Sequence, residues 1–256
     1  MNESLPFGPS PGQPESVTPV PPERLGVDIA ERLASVRRRI ADAAHDWGRD
    51  PDAITLLAVS KTHPAEAVRA AWQAGQRRFG ESYVQEALGK IAALADTTAE
   101  WHFIGPLQSN KTKAVAENFD WVHSVARPKV AQRLSGQRPA GRPPLQVCLQ
   151  VNVSGEASKA GVEPGEVSAL AEAVQGLPGL ALRGLMAIPA PSDDFDEQRR
   201  SFARLREAFE RLNACGYGLD TLSMGMSGDL EAAIAEGATL VRVGTAIFGP
   251  RPPARQ

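Results

Sequence analysis

A lysine that directly follows an apolar, strand-like run is the first place in this chain where chemistry could sit. Lys61 ends the segment Leu56-Leu-Ala-Val-Ser-Lys. It is one of only six lysines among 28 basic residues, the rest being arginine. A primary amine partly desolvated at a strand end can lose its proton and condense with a carbonyl, which a guanidinium cannot do. Two further segments have the make-up of anion cradles. In Ser223-Met-Gly-Met-Ser-Gly-Asp-Leu a short strand passes into a helix through Gly225, Ser227 and Gly228. There backbone amides and the hydroxyls of Ser223 and Ser227 could meet an oxyanion. In Arg242-Val-Gly-Thr-Ala-Ile-Phe-Gly a last strand opens into a short helix at Gly244 and Thr245. Each feature also has a plain structural reading: a surface lysine, Ser227 as the N-cap of a helix beginning near Asp229, and Arg242 in a buried structural salt bridge.

Other residues point away from competing chemistries. His63, His102 and His123 lie near three different strands, and none has a partner at metal-ligand spacing, so a zinc site is not expected. His102, inside Trp-His-Phe-Ile-Gly, reads either as a satisfied core histidine or as a contact lining a barrel. Met186, Met224 and Met226 suit core or mouth filling. Asp193, Asp194, Asp196 and Glu197 read as a solvated loop and helix start. The net charge of -2 supplies no broad field for nucleic acid or an acidic membrane. Cys148 and Cys215 do not make a disulfide framework, which fits a reduced, cytoplasmic setting. No apolar run reaches about 18 residues, and the N-terminus lacks the order of a signal peptide, so a soluble, unexported protein is expected.

The elements that would position these residues are regular. Ile29, Leu33, Val36, Ile40, Ala44 and Trp47 recur at helical spacing, which predicts an amphipathic helix over 28–47 with Asp28 as N-cap and Gly48 and Pro51 as the stop. After it, eight short β-rich runs alternate with helical patterns, beginning at residues 54, 77, 101, 121, 145, 181, 221 and 240. The runs Leu-Leu-Ala-Val-Ser and Leu-Gln-Val-Cys-Leu-Gln-Val-Asn-Val are apolar almost throughout, as parallel strands covered on both faces should be. The pattern predicts a single-domain α/β fold, a (β/α)8 TIM barrel over 25–250, with an open doubly wound sheet as the alternative. Residues 1–24 hold seven of the 21 prolines and read as a disordered tail, with 251–256 as a short C-terminal tail and 135–144 as a loop. In such a barrel the active face lies at the C-terminal ends of the strands, and the loops after strands seven and eight commonly bind phosphate.

The segments LLAVSKTHPAEAVRAAWQAGQRRFGESYVQEALGKI, WHFIGPLQSNKTKAV, VNVSGEASKAG, LRGLMAIPAP and LSMGMSGDLEAAIAEGATLVRVGTAIFG resemble, in this order, the pyridoxal phosphate homeostasis proteins of the YggS/PROSC type. The resemblance covers the chain from about residue 28 to Gly249. It implies a barrel similar to the N-terminal domain of alanine racemase, binding pyridoxal 5'-phosphate (PLP) as an internal aldimine on Lys61. It further implies that Ser223, Ser227, Gly244 and Thr245 surround the phosphate, that Arg242 faces the pyridine nitrogen, and that Asn152, Met186 and His102 line the ring pocket. An arginine there disfavours protonation of the ring nitrogen and weakens the ring as an electron sink. The chain departs from the family at Ser82, where Asn is usual, which puts a ligand role for that position in doubt.

Alanine racemases carry a β-rich domain after strand eight, and only seven residues follow Gly249 here. The expectation is therefore a monomeric PLP carrier that exchanges cofactor, serves PLP-dependent apoenzymes and influences amino-acid pools without robust turnover. Two alternatives remain: a racemase-like PLP enzyme with Tyr83 as a partner base, and an aldolase-like barrel using Lys61 on a phosphosugar.

Overall fold

In the computed structural model the described residues are 22–156 and 160–250. The Pro-rich tail up to residue 21, the C-terminal tail 251–256 and residues 157–159 of the VNVSGEASKAG motif lie outside them.

The first helix, α1, runs Pro22–Asp46 and starts earlier than its apolar stripe suggests. Asp28 is therefore an interior helical residue and not the N-cap. The reason is local: Pro22 has its φ preset for a first helical turn and lacks the N–H that such a turn leaves unpaired. The stripe buries Ile29, Leu33, Val36, Ile40 and Ala44, while Trp47 at its end stays exposed. After Gly48, which adopts φ 62, a short 3-10 turn at Pro51–Ala53 leads into the barrel.

Eight strands follow: β1 Thr55–Val59, β2 Arg78–Glu81, β3 Glu100–Phe103, β4 Trp121–Val125, β5 Leu145–Gln150, β6 Leu180–Met186, β7 Thr221–Ser223 and β8 Leu240–Val243. Between them lie α2 Ala65–Gln73, α3 Val84–Ala93, α4 Thr112–Asn118, α5 Pro128–Gln137, α6 Val167–Gln175, α7 Phe195–Ala214 and α8 Leu230–Ala235, with α9 Thr245–Phe248 after β8. The strands pair in parallel in chain order, and β8 pairs with β1, closing the barrel. This is the (β/α)8 barrel, and closure rules out the open doubly wound sheet. Leu57 registers with Arg242 and Ala58 with Val243 across the closing seam. The outer core is apolar: Phe79, Phe103, Phe119, Leu134, Leu145, Leu149, Leu185 and Phe202 are fully buried.

The barrel interior is not wholly apolar. Glu81, His102, His123, Ser223 and Arg242 are all buried. His123 on β4 lies 2.8 Å from Ser223 on β7, and these strands are not neighbours in the sheet, so the contact crosses the interior.

Candidate functional site

A cavity of about 280 Å3 opens at the C-terminal ends of the strands. Its walls come from six of the eight units: Val59 at the end of β1 with Lys61 and His63 after it, Ser82 after β2, Ile104 after β3, Ile188 after β6, Met226, Ser227 and Gly228 after β7, and Arg242, Gly244 and Thr245 at β8.

The loop carrying Lys61 is held tightly on both sides. Thr62 has φ 69, the one positive-φ non-glycine residue among those described. Its backbone N–H donates to Glu86 Oε1 at 2.6 Å. Lys90 of α3, almost fully buried, donates from Nζ to Glu86 Oε1 (2.5 Å), Glu81 Oε1 (2.7 Å) and the Ser60 carbonyl (2.7 Å). The Ser60 hydroxyl donates to the same Glu81 oxygen at 2.6 Å. Residues on either side of Lys61 are thereby tied to one buried ammonium. Burial pushes the Glu81 carboxyl upward, and the Lys90 charge opposes that shift.

Arg242 forms the floor at β8 and is 3% exposed. Nη1 donates to the Ser223 carbonyl (2.6 Å) and hydroxyl (2.8 Å), and Nη2 donates to the Ala187 carbonyl (2.8 Å). No carboxylate among the described residues pairs with it, so the structural salt bridge is not formed. Burial lowers its pKa to about 10, against the attraction of Asp229. A guanidinium desolvated to this degree and bonded only to neutral oxygens is a preorganised positive group at the edge of a cavity.

The two glycine-rich loops complete the wall. Gly225 sits at φ 91, and a Cβ on it would lie 2.5 Å from Ala233 Cβ, so only glycine lets the β7–α8 loop pack on α8. At Gly244 a Cβ would come within 3.1 Å of the Val59 carbonyl. Asp229, not Ser227, occupies the N-cap position of α8, and Met226 N–H donates to its side chain. Among the described residues the backbone amides of Ser227, Gly228, Gly244 and Thr245 donate to no backbone acceptor. Amine, buried cation and two loops of uncommitted amides thus surround one cavity, a donor set suited to a small aldehyde bearing an anionic group.

Lys61, Ser227, Arg242, Gly244 and Thr245 come together as expected from the sequence. Ser223 lies behind Arg242, bonded to it. Met186, fully buried, registers with Ser223 across β6 and β7 but does not line the cavity. Asn152 also lies off the cavity wall; its Nδ2 donates to the Glu156 carbonyl at 2.9 Å, and its Oδ1 has no partner. The expectation for His102 as a wall of the same cavity is corrected. It lines a different cavity, of about 630 Å3, together with Glu100, Arg78, Asp120, Trp121 and Arg183. Its ring is held toward the N-terminal end of β3, where Glu100 Oε1 lies 2.7 Å from Nε2. Its alternative reading, a satisfied core histidine, describes it better.

Sequence reasoning missed Val59, Ile104 and Ile188 as lining residues, whereas Gly228 belongs to the glycine-rich segment read as an anion cradle. Ser82, His63 and Met226 follow strand ends and carried a positional signal. Tyr83, the partner base of the racemase alternative, is 57% exposed and is not part of the cavity wall.

A family model described as the alanine racemase N-terminal domain matches residues 24–252. A pyridoxal phosphate homeostasis protein of Pseudomonas aeruginosa is 66% identical over 87% of this chain and 96% of its own. PipY of Synechococcus elongatus PCC7942, solved with PLP bound, superposes with TM-score 0.73 at 41% identity over 86% of this chain and all of its own. Alanine racemase of Corynebacterium glutamicum shares the fold at 17% identity and TM-score 0.66, with 88% of this chain matching 62% of that one. The fold and site thus define an alanine-racemase-type barrel. Within that class, the chain belongs to the pyridoxal phosphate homeostasis protein family.

Proposed function

We propose that the cavity at the C-terminal face binds PLP and that the protein holds and releases this cofactor in the cytoplasm without turning over a substrate. The observation that carries this reading is the meeting of Lys61, the buried Arg242 and the amides of two glycine-rich loops around one cavity. PLP bound there supplies an aldehyde that condenses with a primary amine and a ring that accepts electrons. The chain's own groups fit it. Lys61 provides the amine, on a loop whose flanking residues are fixed by Lys90. Ser227, Gly244 and Thr245 would hold the phosphate, with Gly228 beside them. Arg242, all donors and no acceptor, would face the pyridine nitrogen and keep it unprotonated, because a second positive charge beside it is costly. A ring so held is a poor electron sink, which favours a carrier over an enzyme. Ser223, with Met186 in register beside it, would support Arg242 from behind.

A monomer that passes PLP to apoenzymes is the simplest form of this activity, and no helix among the described residues is long and apolar enough to cross a membrane. The test is borohydride reduction of the protein mixed with PLP, followed by peptide mapping. A stable adduct on the peptide containing Lys61, lost in Lys61→Ala, is the expected result. An unlabelled protein, or a label spread over surface lysines, overturns the reading. Amino-acid racemisation at ordinary enzyme rates by the PLP-loaded protein would overturn the carrier half alone.

A further inference from the structure

Arg242 is a buried cation that forms no ion pair among the described residues, although Asp229 acts on it, and a continuous line of hydrogen bonds leads from it to a second carboxylate. Its Nη1 donates to Ser223 Oγ (2.8 Å); Ser223 Oγ lies 2.8 Å from His123 Nδ1; His123 Nε2 lies 2.9 Å from His102 Nδ1; and His102 Nε2 lies 2.7 Å from Glu100 Oε1. The line runs from β8 through β7 and β4 to β3. It starts at the PLP cavity and ends at the other cavity, where the Glu100 side chain is 37% exposed.

Its direction is fixed at both ends. A guanidinium can only donate and a carboxylate can only accept. Ser223 Oγ, accepting from Arg242, has one proton left to give, and His123 Nδ1 is the acceptor it meets. His123 must then carry its proton on Nε2 and give it to His102 Nδ1. His102 must in turn carry its proton on Nε2, facing Glu100. The opposite arrangement would set an unprotonated His102 nitrogen against a carboxylate oxygen at 2.7 Å and leave the Ser223 proton without an acceptor.

We infer that Ser223, His123 and His102 are positioning residues which, with Glu100 as the terminal acceptor, fix the Arg242 guanidinium at the cofactor cavity through a one-way chain of four hydrogen bonds. Bonds aligned in this way polarise one another and strengthen along the chain. The histidines can serve only as neutral rings: burial lowers both, Arg242 lowers His123 further, and Glu100 only partly offsets the effect on His102. The other charges facing the chain are Arg78, whose Nε donates to the same Glu100 oxygen at 3.3 Å, Asp120 near His102, and Asp229 near Arg242, with the buried Cys148 thiol also close to Arg242.

The role toward PLP rests on the reading of the cavity given above; the direction of the chain does not. The first test therefore uses the protein without cofactor. Long-range 15N–1H spectra of 15N-histidine-labelled protein at pH 7 should show His102 and His123 as neutral rings with the proton on Nε2. A proton on Nδ1 of either ring, or an imidazolium, overturns the chain even if PLP labels Lys61. The second test reads the coupling. Glu100→Leu removes the terminal acceptor, outside the PLP cavity, and should weaken PLP binding about 5-fold, the equivalent of one hydrogen bond. Glu100→Gln keeps an acceptor oxygen and should restore both affinity and the native tautomers. Unchanged affinity in Glu100→Leu, with the tautomers intact, would overturn the role of Glu100 as terminal acceptor. If Glu100→Leu does not fold, a Glu100→Gln protein with native tautomers but a 5-fold loss of affinity would show that charge, and not the directed chain, is what Arg242 receives.

Discussion

A histidine buried as a neutral ring ties the fold to pH, and the sign follows from which state holds the proton. His123 has its pKa well below the ordinary 6.5 because burial excludes the charged ring, with His102 and the Arg242 cation adding to the effect. Below pH 6.5 the unfolded chain binds a proton at this position and the folded chain does not. Its stabilising contribution is thus complete above that value and is lost as the pH falls, at up to about 1.4 kcal/mol per pH unit. Carboxylates held low by arginines, such as Asp220 beside Arg183 and Glu231 beside Arg39, lose stability in acid as well. The difference between native and variant therefore isolates the histidine. His123→Asn, which can accept from Ser223 and donate to His102, should flatten the fall in urea midpoint between pH 7 and pH 5. An identical fall in both proteins would mean that the ring charges freely in the folded state. Arg242 is decisive in another way. Arg242→Met removes the donors to Ser223 and Ala187 while nearly keeping the bulk, and should weaken PLP binding by about tenfold or more, measured by fluorescence or absorbance titration.

At the level of elements, α3 does more than cover the barrel. Lys90 joins the end of β1, the end of β2 and the first turn of α3 through Ser60, Glu81 and Glu86, and so fixes the loop that carries Lys61. Lys90→Met leaves Glu81 as a buried carboxylate with no cation, a change that costs about 3–5 kcal/mol where an ion pair is buried. A double variant, Lys90→Met with Glu81→Gln, removes the stranded charge and should recover a large part of the loss in chemical denaturation. Equal loss in the single and double variants would make Lys90 a packing residue only. The Glu86–Lys90 pair is legible in the sequence as an i,i+4 spacing, but its tie to Ser60 is not, because that contact depends on how α3 lies against β1. The same division holds elsewhere. Strand and helix positions were legible because each of the eight units has its own apolar period and its own glycine or proline punctuation. Lys61, Ser227, Arg242, Gly244 and Thr245 were legible because strand ends in this fold converge on one face. The helix start was not, since Pro22 looks like part of the Pro-rich tail. The placement of His102 was not, since depth within a barrel is set by stagger between strands, which no local pattern records.

Across the whole molecule, the cavity proposed for PLP takes walls from six of the eight units, including both strands of the closing β1–β8 seam. A ligand seated there bridges segments distant in sequence and must be released before the barrel can open, so occupancy should be read out as global stability. A ligand that binds only the folded chain at 100 times its Kd stabilises it by about 2.7 kcal/mol. For a domain of this size that corresponds to a rise in Tm of about 5–10 °C. PLP should give this shift in the native protein. Pyridoxal, which keeps the aldehyde but lacks the phosphate, should give a smaller one, because the amides of the β7–α8 and β8–α9 loops would have nothing to bind. Lys61→Ala should retain part of the PLP shift through those loops and Arg242. Equal shifts from PLP and pyridoxal would remove the two loops from recognition, and a full PLP shift in Lys61→Ala would mean that the loops and the buried arginine, with no covalent bond, account for the grip of the site.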